Sequence, residues 1–184
     1  MTLLKNYKIL PVFTVIVVTL FFGCESNFKE VQKINFSEFV PSGEAEKINL
    51  KYTDSGRIKA ILLSPKMLDF ASTDFPFTEF PKGIDVTLYD QTGKRIFIKS
   101  DYAVSYKTTS IIDLLGNVKI TTQDGQILET QQLYYDQNNE WFFTEKSFKF
   151  TDPKGISNGQ GIDFSKDFKI INSQKITGEL DSAE

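Results

Sequence analysis

From Ile48 onward, apolar side chains recur at every second position in short runs. Ile48, Leu50 and Tyr52 alternate with Asn49 and Lys51. Ile96 and Ile98 lead on to Tyr102, Val104 and Tyr106, and Ile112 and Leu114 precede a Gly116-Asn117 turn before Val118 and Ile120. The pattern continues through Leu133 and Tyr135, Trp141 and Phe143, Phe148 and Phe150, Ile162 and Phe164, then Phe168 and Ile170. Successive side chains of a strand point to opposite faces, so a period of two marks strands with one buried face. The breaks hold residues that tolerate positive φ or preset a bend: Asp54-Ser55-Gly56, Asp90 to Gly93, Asp124-Gly125, Asn138-Asn139 and Asp152 to Gly155. No stretch beyond residue 46 carries a helical stripe. The expected domain is all-β and antiparallel.

A weak repeat runs through these strands. Gly56, Gly93, Gly125 and Gly155 each close a polar turn, at spacings of 37, 32 and 30 residues. Each is followed by one or two short strands, for example Lys94 to Phe97 and Asp101 to Val104. Such a unit cannot bury an apolar face alone, so neighbours stack. Stacked antiparallel units of repeated short strands give a folded-over jelly roll with one inward face. The competing expectation is an ordinary sandwich whose hairpins are alike by chance.

The N-terminus is of another kind. Lys5 and Lys8 precede an apolar run from Ile9 to Phe22, which ends at Gly23-Cys24. A basic start, a short apolar stretch and a small residue before the cut describe a secretory signal peptide, residues 1–23. The run is shorter than the ~20 residues of a membrane-spanning helix. Phe21-Phe22-Gly23-Cys24 resembles a lipoprotein box, with Phe21 where leucine is usual, which makes Cys24 the expected lipidation site. An uncleaved anchor and an ordinary thiol are the other readings of this segment. Residues 24–46 are polar and mixed and are expected to form a tether, leaving 47–184 as the folded domain.

Composition narrows the function. The chain has no histidine, which removes the commonest metal ligand and the side chain suited to proton transfer near neutral pH. A metal, a cofactor or a hydrolytic triad is not expected; carboxylate chemistry is the one catalytic route left open. Cleavage before Cys24 removes two lysines and takes the net charge from −3 to −5. A mildly acidic protein lacks the basic footprint of a nucleic-acid binder.

Asp101-Tyr102-Ala103, Leu115-Gly116-Asn117-Val118, Asp124-Gly125, Leu133-Tyr134-Tyr135-Asp136, Gly159-Gln160-Gly161 and Ile176-Thr177-Gly178 together resemble the LptC family, in order and spacing, over about residues 46–180. The resemblance implies a periplasmic jelly roll, open along one side, that handles lipopolysaccharide. It implies an inner-membrane ABC transporter on one side and a periplasmic bridge protein of similar fold on the other, met by edge-to-edge sheet contact. Many members hold the membrane by a transmembrane helix; here an N-terminal acyl anchor on Cys24 would replace it. The inner membrane is then expected, although lipoproteins are sorted to either membrane.

In that setting the alternating sets are the expected lipid groove: Ile96, Ile98, Tyr102, Val104, Leu114, Val118, Ile120, Leu133, Tyr135, Phe143, Phe148, Phe150, Ile162 and Phe164. The plainer alternative is that they pack on each other as a dry core. The wider alternatives are an envelope lipoprotein for another lipid or a glycan, and a scaffold with a closed core. Asp54, Asp85, Asp90, Asp101 and Asp124 read as turn residues bonded to local backbone. Lys94, Arg95 and Lys99 read as a solvated strand face. Asp74 to Pro81, with prolines at 76 and 81, reads as an aromatic loop near a rim and not as a central strand.

Overall fold

A computed structural model describes residues 40–90 and 92–176. These form eleven antiparallel strands: β1 (Gly43–Asp54), β2 (Arg57–Phe70), β3 (Phe77–Phe80), β4 (Ile84–Tyr89), β5 (Arg95–Ser100), β6 (Tyr102–Tyr106), β7 (Ile111–Thr122), β8 (Ile127–Asp136), β9 (Trp141–Asp152), β10 (Gly155–Ser165) and β11 (Ile171–Ile176). No helix occurs among the described residues, as the alternation predicts. The signal segment, Cys24 and the tether up to residue 39 lie outside the described residues. β1 starts at Gly43, inside the segment expected to be tether.

All strands belong to one sheet with a simple path. β2 pairs with β4 through Ala60–Leu63 and with β3 through Leu68–Phe70. β4 pairs with β5 and β3 with β6, and β7 pairs with both β5 and β6 along one edge. β3 and β4 are therefore the two halves of a single long pass, as are β5 and β6. Counted so, every pass pairs with its neighbour in sequence. The glycine turns at 56, 93, 125 and 155 fall two passes apart, so all four lie at the same end of the strands.

The sheet is creased across its middle, where backbone irregularities line up from pass to pass. Lys47 (φ 53°) in β1 stands opposite Pro65, which has no N–H to offer the ladder. Gly83 separates β3 from β4, and Asp101 separates β5 from β6. Pairing shifts at Leu115/Val118 in β7, Thr130/Tyr134 in β8 and Gln160/Ile162 in β10. Bulges of this kind bend a strand and raise its twist. Gly83 has no substitute at this point. Its φ is +77°, and a Cβ there would lie 2.3 Å from the Ser100 carbonyl oxygen. The Ser64 hydroxyl donates to the Gly83 carbonyl at 2.8 Å and ties the crease to β2.

The two halves fold onto each other. The half nearer the glycine turns forms a first layer: Ile48–Asp54 of β1, Arg57–Ser64 of β2, β4, β5 and Val118–Thr122 of β7. The other half forms a second layer, with β3, β6 and the remaining ends of the long strands. Phe150 lies near the glycine-turn end of β9, and Phe168 lies in the β10–β11 turn at the opposite end, yet their rings stand 6.3 Å apart. In a flat sheet such positions would be roughly 30 Å apart. One core runs between the layers, with Ile84, Ile98, Val118, Ile120, Leu128 and Phe148 from the first and Phe80, Leu114, Leu133, Phe142 and Phe164 from the second.

Two local expectations change. Phe77–Phe80 is a strand paired on both sides, not a rim loop, because Pro76 and Pro81 bound it without interrupting it. Of the three phenylalanines in that segment, Phe75 stands far out, at 78% exposed. Phe168 and Ile170 belong to a turn and not to a strand. Phe168 has φ +59° and is buried against Phe164, with ring centroids 4.7 Å apart.

Candidate functional site

The core is not evenly filled. At the β9–β10 end the inward positions carry Phe142, Phe148 and Phe164, with Phe168 closing over them. At the β1–β2 end they carry Ala60 in the first layer and Thr78 and Ser105 in the second. Small side chains at these positions leave a gap that aromatic rings would have closed. The result is a cavity of about 560 Å³ between the layers. Ala60, Leu62, Ile84, Val86 and Leu88 form its first-layer wall; Met67, Phe80, Ile112, Leu114 and Phe142 form the second.

Toward the β1 edge the cavity opens. Leu50 and Tyr52 of β1 line it, yet they are 50% and 64% exposed. The inner surface of the fold is thus continuous from a dry core to an uncovered apolar lip. Open troughs lined by apolar side chains with a few polar groups are the usual form of a ligand site.

Polar groups gather at the rim, where the tips of both layers meet. Lys59 and Asp54 come from the β1–β2 hairpin; Gln137 and Glu140 come from the β8–β9 turn; Lys166 comes from the β10–β11 turn. Lys166 Nζ pairs with Glu140 Oε1 at 2.6 Å. Just inside, Tyr135 stacks on Phe142 with centroids 4.3 Å apart. Burial above all, then the negative charges of Glu140 and Asp136, holds its hydroxyl above the ordinary phenol range. It is therefore a donor at any physiological pH.

The fourteen residues expected to form a groove divide into three groups. Ile98, Leu114 and Tyr135 line the cavity. Ile96, Val118, Ile120, Leu133, Phe148, Ile162 and Phe164 sit in the filled core, with Phe150 packed against it. Tyr102, Val104 and Phe143 stand on the opposite face of the sheet. Ile98 and Ser105 both face the cavity although an odd number of steps separates them. The extra residue, Asp101 at the crease, reverses the parity of β6, so Ala103 points in where Tyr102 and Val104 were expected. In β9 the inward ring is Phe142, fully buried, while Phe143 is 36% exposed and stacks on Tyr134 at 5.2 Å.

Sequence reasoning also passed over lining residues. Ile84, Val86 and Leu88 alternate cleanly and were readable as a strand. Ala60, Thr78 and Ser105 carry no signal, because small size becomes meaningful only when the facing layer is known. Among the charged candidates, Lys94 pairs with Asp124 and Lys99 with Asp85, both at 2.7 Å on exposed surface. Asp90 accepts from the Thr92 and Lys94 amides at 2.8 Å, as a turn residue does. No group of His, Cys, Asp and Glu among the described residues is arranged to hold a metal.

Tyr102 on the outer face offers a pH test of this arrangement. Its hydroxyl donates to Glu79 Oε1 at 2.7 Å. Burial first, and then that carboxylate, pushes its ionisation up to about 12. A free phenol ionises near ~10, so the folded state holds the proton more tightly. The stabilisation is complete below ~pH 10 and is lost as pH rises toward the folded value. Tyr102→Phe should melt below the parent at about pH 8, and the gap should narrow toward about pH 12. A gap that stays constant over that range would show that Tyr102 lacks this environment.

No curated protein matches the chain. A protein-family model described as "Lipopolysaccharide-assembly, LptC-related" matches residues 14–177.

Proposed function

We propose, from the premise that the chain belongs to the LptC-related family of lipopolysaccharide-assembly proteins, that its trough shelters the acyl chains of lipid A during export. Membership makes the chain a component of lipopolysaccharide transport, periplasmic and associated with the envelope, in a family that binds and transports rather than catalyses. The finer reading rests on the uncovered lip. Leu50 and Tyr52 face inward toward the cavity and yet remain open to solvent.

The physics is that of apolar transfer. Each methylene taken out of water contributes ~0.8 kcal/mol, so ten sheltered methylenes contribute about 8 kcal/mol. The cavity volume lies within the range of sites that hold small ligands. An opening along one side lets fatty chains lie inside while bulky sugars stay in water.

The two ends of the sheet support a handover. Among the described residues, β1 and β11 each pair on one side only. An unpaired edge is a template for a partner strand. In this reading β1 faces the inner-membrane ABC transporter and β11 meets a periplasmic bridge protein of similar fold. Acylation at Cys24 holds the chain at the inner membrane, with several acyl chains giving the firm attachment that one cannot.

Depletion of the protein tests the role. Newly made lipopolysaccharide should accumulate before the outer surface; its normal arrival there would overturn the transport reading. Photo-crosslinkers in β1 and β11 should capture different partners, and capture of one partner from both edges would count against the directional handover.

A further inference from the structure

Resting on the acyl-chain reading above, we propose that the rim of the trough is a headgroup site in which Lys59 and Lys166 bind a phosphate of the acylated lipid, with Glu140 occupying that place until the lipid arrives. The two lysines come from opposite layers of the fold and line the same cavity. In this proposal an anion between the layer tips is held from both layers.

The rim is built unevenly in a way that fits exchange. The Lys166 side chain is only 13% exposed, whereas its partner Glu140 is 55% exposed. The Lys166 amide also donates to the Glu140 carbonyl at 2.9 Å, so backbone holds the turn whichever way the carboxylate points. An ammonium this sheltered needs an anion beside it. The carboxylate on its watery side is the partner that can leave. Lys59 has no ion-pair partner among the described residues. The protonated Tyr135 hydroxyl adds a neutral donor just inside.

Asp54 and Glu140 balance Lys59 and Lys166, so the empty rim exerts no long-range pull on anions. Selection therefore occurs on contact. A phosphate carries more charge than a carboxylate and accepts bonds from two lysines at once, so it displaces Glu140. Lipids with neutral heads enter the same trough but leave the Lys166–Glu140 pair intact.

Displacement of a fluorescent fatty acid from the full-length protein distinguishes the possibilities, with diphosphorylated lipid A and its dephosphorylated counterpart as competitors. The phosphorylated lipid should compete at about tenfold lower concentration. Lys59→Gln and Lys166→Gln should each shrink that preference to about threefold or less, and Glu140→Gln should enlarge it by about threefold. Unchanged melting temperatures would show that the variants stay folded. The preference should persist in about 10 mM inorganic phosphate; its disappearance would make the rim a site for free anions and overturn the headgroup assignment. Equal competition by the two lipids overturns the headgroup site while leaving the trough standing. Failure of the fatty acid itself to bind overturns the acyl-chain reading.

Discussion

Ala60→Trp should lower acyl-chain affinity by about a hundredfold while leaving the melting temperature near that of the parent. Ala60 lies in β2, between Tyr52 of β1 and Leu88 of β4, with its side chain on the cavity wall. An indole there projects into empty space. Overpacking costs about 1–3 kcal/mol where a core is already full, and this part of the core is not. The ring instead takes room from the lipid. Loss of about four sheltered methylenes, at ~0.8 kcal/mol each, removes about 3 kcal/mol of binding. Leu63→Trp is the control, since Leu63 lies on the outer face of the same strand and is 43% exposed. Ser105→Trp plugs the cavity from the facing layer and repeats the test independently. Fatty-acid titration of the three variants reads the result. Parent-like binding by both plugged variants would mean that acyl chains lie elsewhere.

The largest stability effect should come from Phe142→Ala. Phe142 is fully buried and packs between Tyr135 and Phe164, with ring centroids at 4.3 Å and 5.1 Å. Removing a buried aromatic ring costs about 3–5 kcal/mol through lost transfer energy and the void left behind. That is a large part of the ~5–15 kcal/mol by which a domain is stable. Phe143→Ala, one residue on, should cost about 1 kcal/mol, because the ring is partly in solvent and gives up chiefly its stacking on Tyr134. Urea unfolding of both variants measures the difference. Equal losses would mean that the face of β9 is assigned wrongly.

These two phenylalanines also mark the limit of reading by period. Alternation located the strands, and polar turns closed by glycine located their ends. With every pass pairing to the next in sequence, strand order required no long-range information. The LptC-like pieces fall where the fold has use for them. Gly116-Asn117 and Gly161 lie on the crease, with φ of 72°, 44° and 73°. Trp141-Phe142-Phe143 is uninformative by contrast, since three adjacent aromatics satisfy either parity. β6 misled for a different reason. Asp101 is a single extra residue, and one residue suffices to exchange the two faces of everything after it.

The sequence by itself determined that the chain forms antiparallel strands, where they turn, and that one face of each is apolar, because these are properties of neighbouring residues. The tertiary structure alone decided which apolar side chains meet and where a void remains. Folding the sheet along its crease brings Ala60, Thr78 and Ser105 to one cavity, and Phe150 onto Phe168, groupings that no local pattern connects. Whether an inward residue joins a dry core or lines a cavity depends on the size of what faces it from the other layer, and that is settled only when the layers close.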